Sequence, residues 1–332
     1  MGQDRLDSSW TRDASGMKRF RPSAWWIILL GVILLAIPVF RAVTQAAAKS
    51  AQVVAYCAQD QVFAETIFQD FEKETGIKVR AIYDNEAVKT VGLANRLLAE
   101  RGHPQCDVFW GNEEMRTRQL AAREIFRPTN GWAAFGARSR RIVVNTNFVP
   151  IVNGPRSLLE LTNARWNGKI ALAYPQFGTT AAQFHALRQL WGSNGWESWC
   201  RSLAANRPRV VDGNSFVVRV VGSGEAWLGL TDSDDIAAGQ RDGLPIAALP
   251  VTAETLLIPN TVAIAEGAPH PQAAQKLFEF LQRPETAQRL VAAQALESAA
   301  NDQAGSTLKV NWDSLLKDLE PVTAELNRIF LR

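Results

Sequence analysis

The densest group of carboxylates in the sequence follows a short apolar run. Residues 226–230 have the pattern of a buried strand, and Asp232, Ser233, Asp234 and Asp235 follow before a segment that can begin a helix. Two unit charges about 4 Å apart repel by on the order of 4 kcal/mol near a protein surface. We therefore expect a positive group, such as a metal ion or an ammonium group, to offset these acids. The same residues also suit a helix N-cap, which is a purely structural role.

Three earlier strand ends also carry polar side chains. An alternation of strands and helices over the first part of the chain predicts parallel strands joined by right-handed crossovers. The predicted strands are residues 53–57, 77–83 and 107–110. Because parallel strands end at one edge of a sheet, we expect Asp60, Glu86 and Asn112 to lie together there, where open α/β sheets bind ligands.

A second unit of the same kind begins at residue 169. Strands predicted at residues 169–174 and 209–211 both end in glycine and polar residues that precede a helix. These residues are Gly178, Thr179, Thr180, Asn214 and Ser215. Backbone N–H groups at a helix N-terminus bind anions, and a threonine there also serves as an ordinary N-cap. The second unit therefore predicts an anion site, with helix capping as the structural alternative.

The chain crosses between the two units twice, near residue 141 and near residue 257. This predicts an α/β fold of two Rossmann-like lobes joined by a hinge with two crossing segments. Lobe 1 is predicted to comprise residues 51–141 and 258–332, and lobe 2 residues 142–257. Two lobes on such a hinge close around a ligand in the cleft between them.

The N-terminal residues differ in composition from the rest of the chain. An uncharged apolar run begins at residue 24, and basic residues precede it. We predict a transmembrane anchor or signal segment over residues 24–41, a cytoplasmic tail over residues 1–23, and export of the chain beyond. The alanines at 46–48 offer a signal cleavage site, so a secreted form and an anchored form both stay open.

The composition is that of a globular protein without a nucleic-acid partner. The 332 residues, 47% hydrophobic and 21% charged, are enough for two domains. Residues 1–50 hold seven of the 36 basic and three of the 33 acidic residues, which accounts for the formal charge of +3. The remainder carries 29 basic and 30 acidic residues without a basic tract, so nucleic-acid binding is not expected.

Cysteines and histidines do not form a recognisable reactive site in the sequence. Cys57 ends one predicted strand and Cys106 begins its neighbour, about 13 Å away at 3.3 Å per residue, which exceeds disulfide reach. We expect these two and Cys200 to be buried thiols. The three histidines follow no predicted strand end, so surface or packing roles are expected for them.

Several stretches match motifs of one known family. They are residues 71–79 (FEKETGIKV), 107–109 (DVF), 137–144 (ARSRRIVV), 214–215 (NS) and 222–225 (GSGE). Through them, about residues 52–300 resemble the class II solute-binding proteins of ABC importers, in particular the ferric-iron-binding group. The resemblance implies the type II periplasmic-binding-protein fold, a periplasmic or extracytoplasmic location, no enzymatic activity, and ABC permease and ATPase subunits as partners.

The same resemblance implies how a ligand would be held. The family's iron-binding histidine falls at Asp60, its tyrosine pair at Ser233 and Asp234, and its glutamate closest to Glu86. This implies that Asp60, Glu86 and Asp234 would bind the metal, without the family's usual tyrosine phenolates. It also implies that an accompanying anion would bind at the helix N-terminus that contains Thr179. No cofactor is implied, because ferric iron is the transported ligand; an all-oxygen set also suits a related hard cation.

Three alternatives remain open at this stage. The two-part site also suits a zwitterionic or cationic organic solute, such as 2-aminoethylphosphonate or a polyamine. An enzyme on the same scaffold would need Cys57, or the pair Asp60 and Asp234, as catalytic groups. A sensory ectodomain would have only a short cytoplasmic tail. Since no Cys-His or Ser-His-Asp grouping follows the predicted strands, the sequence favours binding for transport.

Overall fold

The computed structural model describes residues 52–84, 89–299 and 307–331. The predicted cytoplasmic tail (1–23), the predicted membrane segment (24–41) and Glu86 lie outside these ranges. In the ranges that are described, no helix meets the length and hydropathy that a bilayer crossing demands.

The described chain opens with a parallel three-stranded unit. Strand β1 (Gln52–Cys57) pairs in parallel with β2 (Lys78–Ile82) on one side and with β3 (Val108–Gly111) on the other. The helices that follow these strands are α1 (Gln61–Thr75), α2 (Lys89–Ala99) and α3 (Glu114–Ala122). Apolar residues recur at helical spacing in α1 and are buried, which holds the helix against the sheet. The predicted alternation of strands and helices is confirmed.

Two long strands cross the middle of the sheet. Strand β4 (Trp132–Asn145) pairs antiparallel with β9 (Leu257–Ile264), and β9 pairs antiparallel with β3. The two crossings expected near residues 141 and 257 are therefore parts of long continuous strands. The apolar pattern of β4 is interrupted by Arg138 and Arg140, which a sequence pattern places on the surface but the fold buries.

The second part of the sheet continues from β4. Strand β7 (Leu228–Asp232) pairs antiparallel with β4 and parallel with β5 (Ile170–Ala173), and β5 pairs in parallel with β6 (Arg209–Val211). Strand β8 (Ile246–Ala248) also pairs with β4, so the order is β2-β1-β3-β9-β4-β7-β5-β6 with β8 beside β4. The helices of this part are α4 (Gly178–Ala205), α5 (Asn214–Gly222) and α6 (Ser233–Arg241). Three 3-10 helices precede β5: Ile151–Asn153, Leu158–Thr162 and Ala164–Trp166.

The C-terminal helices pack on two different cores. Helices α7 (Pro271–Leu281) and α8 (Pro284–Ala292) join the core of the β1–β3 unit. Residues 312–330 form two helices, α9 (Trp312–Lys317) and α10 (Leu319–Phe330), and both join the core around α4. From the sequence, these residues were assigned to lobe 1. Their apolar spacing predicts a buried face but does not show which of the two cores that face packs against. The division into lobes stays a prediction.

The cysteines and histidines have the structural roles expected of them. All three cysteines are buried and none is in a disulfide; burial raises the pKa of the thiols of Cys106 and Cys200. Burial also lowers the pKa of His185 to about 3, so that ring is neutral in the core. His270 Nδ1 lies 2.8 Å from the buried Asp107 carboxylate, where it closes a turn before α7.

Candidate ligand-binding site

The carboxyl ends of β1, β3, β5, β6 and β7 surround a small cavity, here called the acidic cavity. Its volume is about 50 Å³. Eight residues predicted from the sequence line it: Asp60, Asn112, Gly178, Thr179, Thr180, Asn214, Asp232 and Asp234. They come from the loops after five different strands, so the argument from strand ends correctly located the convergence of these residues.

Three predicted site residues are not found in this lining. The hydroxyl of Ser233 accepts a hydrogen bond from the backbone N–H of Ser139 across 3.2 Å, which fixes the start of α6 against β4. Ser215 is the second residue of α5 and does not border the cavity. Glu86 lies outside the described residues.

The other lining residues are Gln59, Arg138, Ala173, Tyr174, Phe177, Asp212, Gly213 and Asp235. Of these, only Asp235 belongs to the acidic group expected from the sequence. Tyr174 and Asp212 directly follow β5 and β6, so the strand-end signal that found their neighbours could also have found them. Arg138 gave no such signal, because it lies inside a strand.

Asp232 is the most enclosed acid of the site. Its carboxylate lies 2.7 Å from Arg140 Nη1 and 3.1 Å from Arg138 Nη2, and it accepts a hydrogen bond from the Thr179 hydroxyl at 3.0 Å. Burial alone would raise the pKa of Asp232, but the two guanidinium groups and these hydrogen bonds outweigh it and hold the pKa below its usual value. Asp232 is therefore a charged, fully paired anchor within the wall.

Arg138 ties together three parts of the chain that are distant in sequence. Its Nη1 donates to the backbone oxygen of Asn112 at 2.9 Å and to Asn260 Oδ1 at 3.1 Å. Its Nε lies 3.2 Å from Asp234 Oδ1, in addition to the contact with Asp232. Burial acts to lower the pKa of Arg138, but the two aspartates raise it above its usual value, so the side chain is always charged. One guanidinium thus connects the ends of β3 and β7 with the middle of β9.

The carboxylates form a closer group than the sequence suggested. One oxygen from each of Asp232, Asp234 and Asp235 lies within 4.8 Å of the others, which is close enough for a shared cation. The predicted metal set was Asp60, Glu86 and Asp234; of these, Asp60 and Asp234 line the cavity. Asp232 is paired with both arginines, so Asp234 and Asp235 are the members of this group nearest to an unshared cation position; Asp60 lines the same cavity but does not belong to the group.

Four helices begin at the acidic cavity. Their N-cap residues are Asp60 for α1, Phe177 for α4, Gly213 for α5 and Asp232 for α6. None of these side chains caps its own helix, so the first backbone N–H groups are not satisfied in this way. Each helix N-terminus carries roughly half a positive charge. The cavity therefore offers anion-binding backbone beside its carboxylates.

Amide and hydroxyl side chains that line the acidic cavity connect the first turn of α4 to the first turn of α5. Asn214 Oδ1 accepts from Arg140 Nη1 at 2.8 Å, and Asn214 Nδ2 donates to the Thr179 hydroxyl at 3.0 Å. The hydroxyl of Thr180 reaches Asn214 Oδ1 at 3.5 Å. These side chains position the N-termini of the two helices beside the acidic cavity.

Comparison with known proteins identifies the family. The family model for bacterial extracellular solute-binding proteins matches residues 52–293 of the chain. The chain belongs to this family. The resemblance derived from the sequence is thus confirmed, and the acidic cavity lies within the matched residues of this solute-binding protein.

Two curated relatives are similar over part of this solute-binding protein. The Fe(3+)-binding periplasmic protein of Serratia marcescens is 28% identical over 202 residues, which cover 56% of this chain and 58% of that protein. The major ferric iron-binding protein of Neisseria gonorrhoeae is 25% identical over 203 residues, 55% of this chain and 59% of that protein. The matches thus span less than two thirds of the length of these relatives.

Solved structures share the fold more completely. Iron-bound HitA from Pseudomonas aeruginosa superposes with a TM-score of 0.72 at 18% identity, covering 83% of this chain and 99% of that one. AfuA from Actinobacillus pleuropneumoniae, with fructose-6-phosphate bound, gives a TM-score of 0.71 at 19% identity, covering 84% and 98%. The likeness confirms the mixed α/β fold; at these identities it concerns the fold alone.

Proposed function

We propose that this solute-binding protein is the exported substrate-binding component of an ABC importer, and that it carries ferric iron together with an anion. The acidic cavity is the observation that supports this most directly. Five aspartates line it, Asp60, Asp212, Asp232, Asp234 and Asp235, against one lining guanidinium. Carboxylate oxygens are hard ligands suited to a hard cation, and helix N-termini beside them suit an anion.

The proposal includes two lobes that close on the ligand. Lobe 1 would comprise residues 51–141 with residues 258–299, and lobe 2 residues 142–257 with α9 and α10, which pack on the second core. Strands β4 and β9 run between the parallel unit of β1–β3 and that of β5–β7, as the two crossing segments of a hinge must. Export would depend on residues 24–41, and the partners would be ABC permease and ATPase subunits.

The size of the acidic cavity favours a small ligand. About 50 Å³ holds only a few heavy atoms before the walls move, since one water molecule needs roughly 10–15 Å³. A metal ion with a small anion fits this space. A sugar phosphate of the kind in the AfuA structure would need a wider opening.

A zwitterionic solute is the second candidate, supported by the division of the wall into two chemical halves. The N-terminus of α4 would hold a phosphonate, and Asp234 and Asp235 would hold an amine. 2-Aminoethylphosphonate has both groups, whereas a polyamine would use only the acidic half.

Titration of the full-length chain separates these candidates. We expect saturable binding of iron supplied as Fe(III)-citrate or Fe(III) with phosphate, at one ion per chain, and loss of at least about tenfold in affinity in Asp235→Asn. Asp242→Asn, an exposed acid at the other end of α6, is the matched control. Binding of 2-aminoethylphosphonate or spermidine without binding of iron would replace the first candidate by the second. No binding of iron, 2-aminoethylphosphonate, spermidine or fructose 6-phosphate would contradict both.

We propose binding without chemistry. Cys57 is fully buried and its thiol lies 3.6 Å from the backbone oxygen of Gln59, a setting that suits packing. Turnover of a bound solute that Cys57→Ser abolishes would overturn this part of the proposal. A pull-down that recovers a histidine kinase in place of permease subunits would favour a sensory role.

A further inference from the structure

A second cavity, here called the arginine cavity, opens between β4 and the segment of residues 249–255 that leads into β9. Its volume is about 430 Å³, which is within the range of small-molecule sites. Among the described residues, none lines both this cavity and the acidic cavity. The proposed transport function makes no use of it.

The charges around the arginine cavity favour an anion. Arg140, Arg141 and Arg156 line it, and Glu254 is the acid in the lining. The Glu254 carboxylate already accepts a hydrogen bond from the backbone N–H of Leu158. Arg141 is engaged as well, because its guanidinium donates to the backbone oxygen of Leu249 and meets Glu297. Arg140 and Arg156 therefore decide what the cavity attracts.

Arg140 supplies a buried donor that the protein itself does not use. Its side chain is fully buried; Nε donates to Gln183 Oε1 at 3.0 Å and Nη1 to Asp232 at 2.7 Å. Its Nη2 is buried and meets no acceptor within the described part of the chain. A buried donor without a partner is energetically costly. Arg140 lines the arginine cavity, so a ligand that displaces the wall over Nη2 would supply the missing acceptor and relieve that cost.

The outer part of the cavity combines a second cation with exposed apolar side chains. Arg156 is exposed and pairs with no carboxylate in the ranges that are described. Ile151 and Val152, at the same edge, are 49% and 81% exposed. The buried walls of Leu158 and Leu249 continue this apolar surface inward. Exposed apolar groups beside the exposed guanidinium of Arg156 suit a ligand that has a hydrocarbon part and an anionic end.

We propose that the arginine cavity binds a small amphipathic carboxylate. The carboxylate accepts hydrogen bonds from Arg140 and Arg156, and the hydrocarbon chain lies along Ile151, Val152 and Leu249. The proposal rests on this cavity alone and holds whichever solute the acidic cavity takes.

Hexanoate is a suitable probe, titrated into the full-length chain and followed by saturation-transfer NMR. We expect saturable binding with a Kd of about 1 mM or tighter. Hexylamine, with the opposite charge, and acetate, without the chain, test the two halves of the recognition and should not saturate. Hexanoate that fails to saturate up to about 20 mM, or hexylamine that binds equally well, would overturn the proposal.

Variants at the exposed edge test the location without disturbing the fold. Val152→Asp and Arg156→Glu should each weaken hexanoate binding at least about fivefold. Leu190→Asp, at a half-exposed leucine of α4 outside both cavities, should leave it unchanged. Unchanged binding in both edge variants would contradict the assignment. A crystal structure with 6-bromohexanoate should place the carboxylate against Arg140, and its placement elsewhere would overturn the proposal.

Discussion

Arg138 Nη2 donates to Asp232 Oδ2 across 3.1 Å, and neither side chain is more than 3% exposed. Arg140 meets the other carboxylate oxygen of Asp232 from the same strand. The positive group that the acidic corner requires is therefore supplied in part by the chain itself. The network around Asp232 is therefore formed before a ligand binds, and the ligand interacts with the other acids of the cavity.

Breaking this pair should destabilise the protein strongly. Asp232→Asn removes the carboxylate that pairs with Arg140 and leaves Arg138 with Asp234 alone, and removing one partner of a buried ion pair commonly costs about 3–5 kcal/mol. Urea denaturation of both proteins measures the difference in free energy of unfolding. The control is Glu225→Gln, which breaks a half-exposed pair with Arg209 and should cost less than about 1 kcal/mol. Equal effects of the two substitutions would show that the buried network does not stabilise the fold.

Asp234 is expected to act on the ligand. It is 5% exposed, lines the acidic cavity and lies 3.2 Å from Arg138 Nε. Asp234→Ala should weaken affinity for Fe(III)-citrate at least about tenfold, because loss of one desolvated charge partner commonly costs 2 kcal/mol or more. Calorimetric titration measures this, with Asp242→Ala as the control. Unchanged affinity would mean that the acids at this corner only begin a helix.

The first residue of α4 requires a glycine. Gly178 has φ of +53°, and a Cβ there would meet no atom within 4 Å, so Gly178→Ala adds backbone strain alone, of about 1–2 kcal/mol. Gly195 lies without positive φ in the helical segment that follows a break in α4 at Gly192, and Gly195→Ala should stabilise the protein by about 0.5–1 kcal/mol. Thermal unfolding should therefore shift in opposite directions for the two variants. Shifts of the same sign would contradict this account of the α4 N-terminus.

Glu113 should make stability depend on pH. Burial raises its pKa to about 7, although Arg116 and backbone N–H groups act in the opposite direction. Between the ordinary value of 4.5 and about 7, the folded protein keeps a proton that the unfolded chain releases. This contribution favours the fold at low pH and is lost as pH rises through that window, by about 3 kcal/mol in total.

Glu113→Gln tests this sign directly. The amide keeps the shape of the side chain but cannot ionise, so the variant should gain stability over the wild type as pH rises from 5 to about 8. Urea denaturation at each pH measures the gain. Glu124→Gln, at an exposed carboxylate, should show no such trend. A constant difference between Glu113→Gln and the wild type would disprove the burial effect.

Much of the site could be predicted because it follows from the chain's periodicity. Parallel strands end at one edge, so residues as distant as Asp60 and Asp234 could be placed together from strand assignment alone. The same logic placed Thr179 and Asn214 at helix starts. These predictions needed only local patterns and the handedness of crossovers.

The buried arginines could not be predicted from such patterns. Arg138 and Arg140 are two residues apart on β4 and so point to one face, but a charged pair in a strand usually marks a solvent face. Only the tertiary partners Asp232 and Asp234 explain their burial. The place of α10 on the core around α4 was missed for a related reason, because an apolar stripe does not name the surface it covers.

The position of β9 also affects how the polypeptide can mature. β9 lies between β3 and the first half of β4, although it is made long after both. Pairings between segments so distant in sequence form slowly, since the intervening chain must be brought together first. The central sheet therefore cannot be completed until residue 264 has been synthesised. Up to that point the emerging polypeptide stays incompletely folded, in a form that can still pass through a membrane channel.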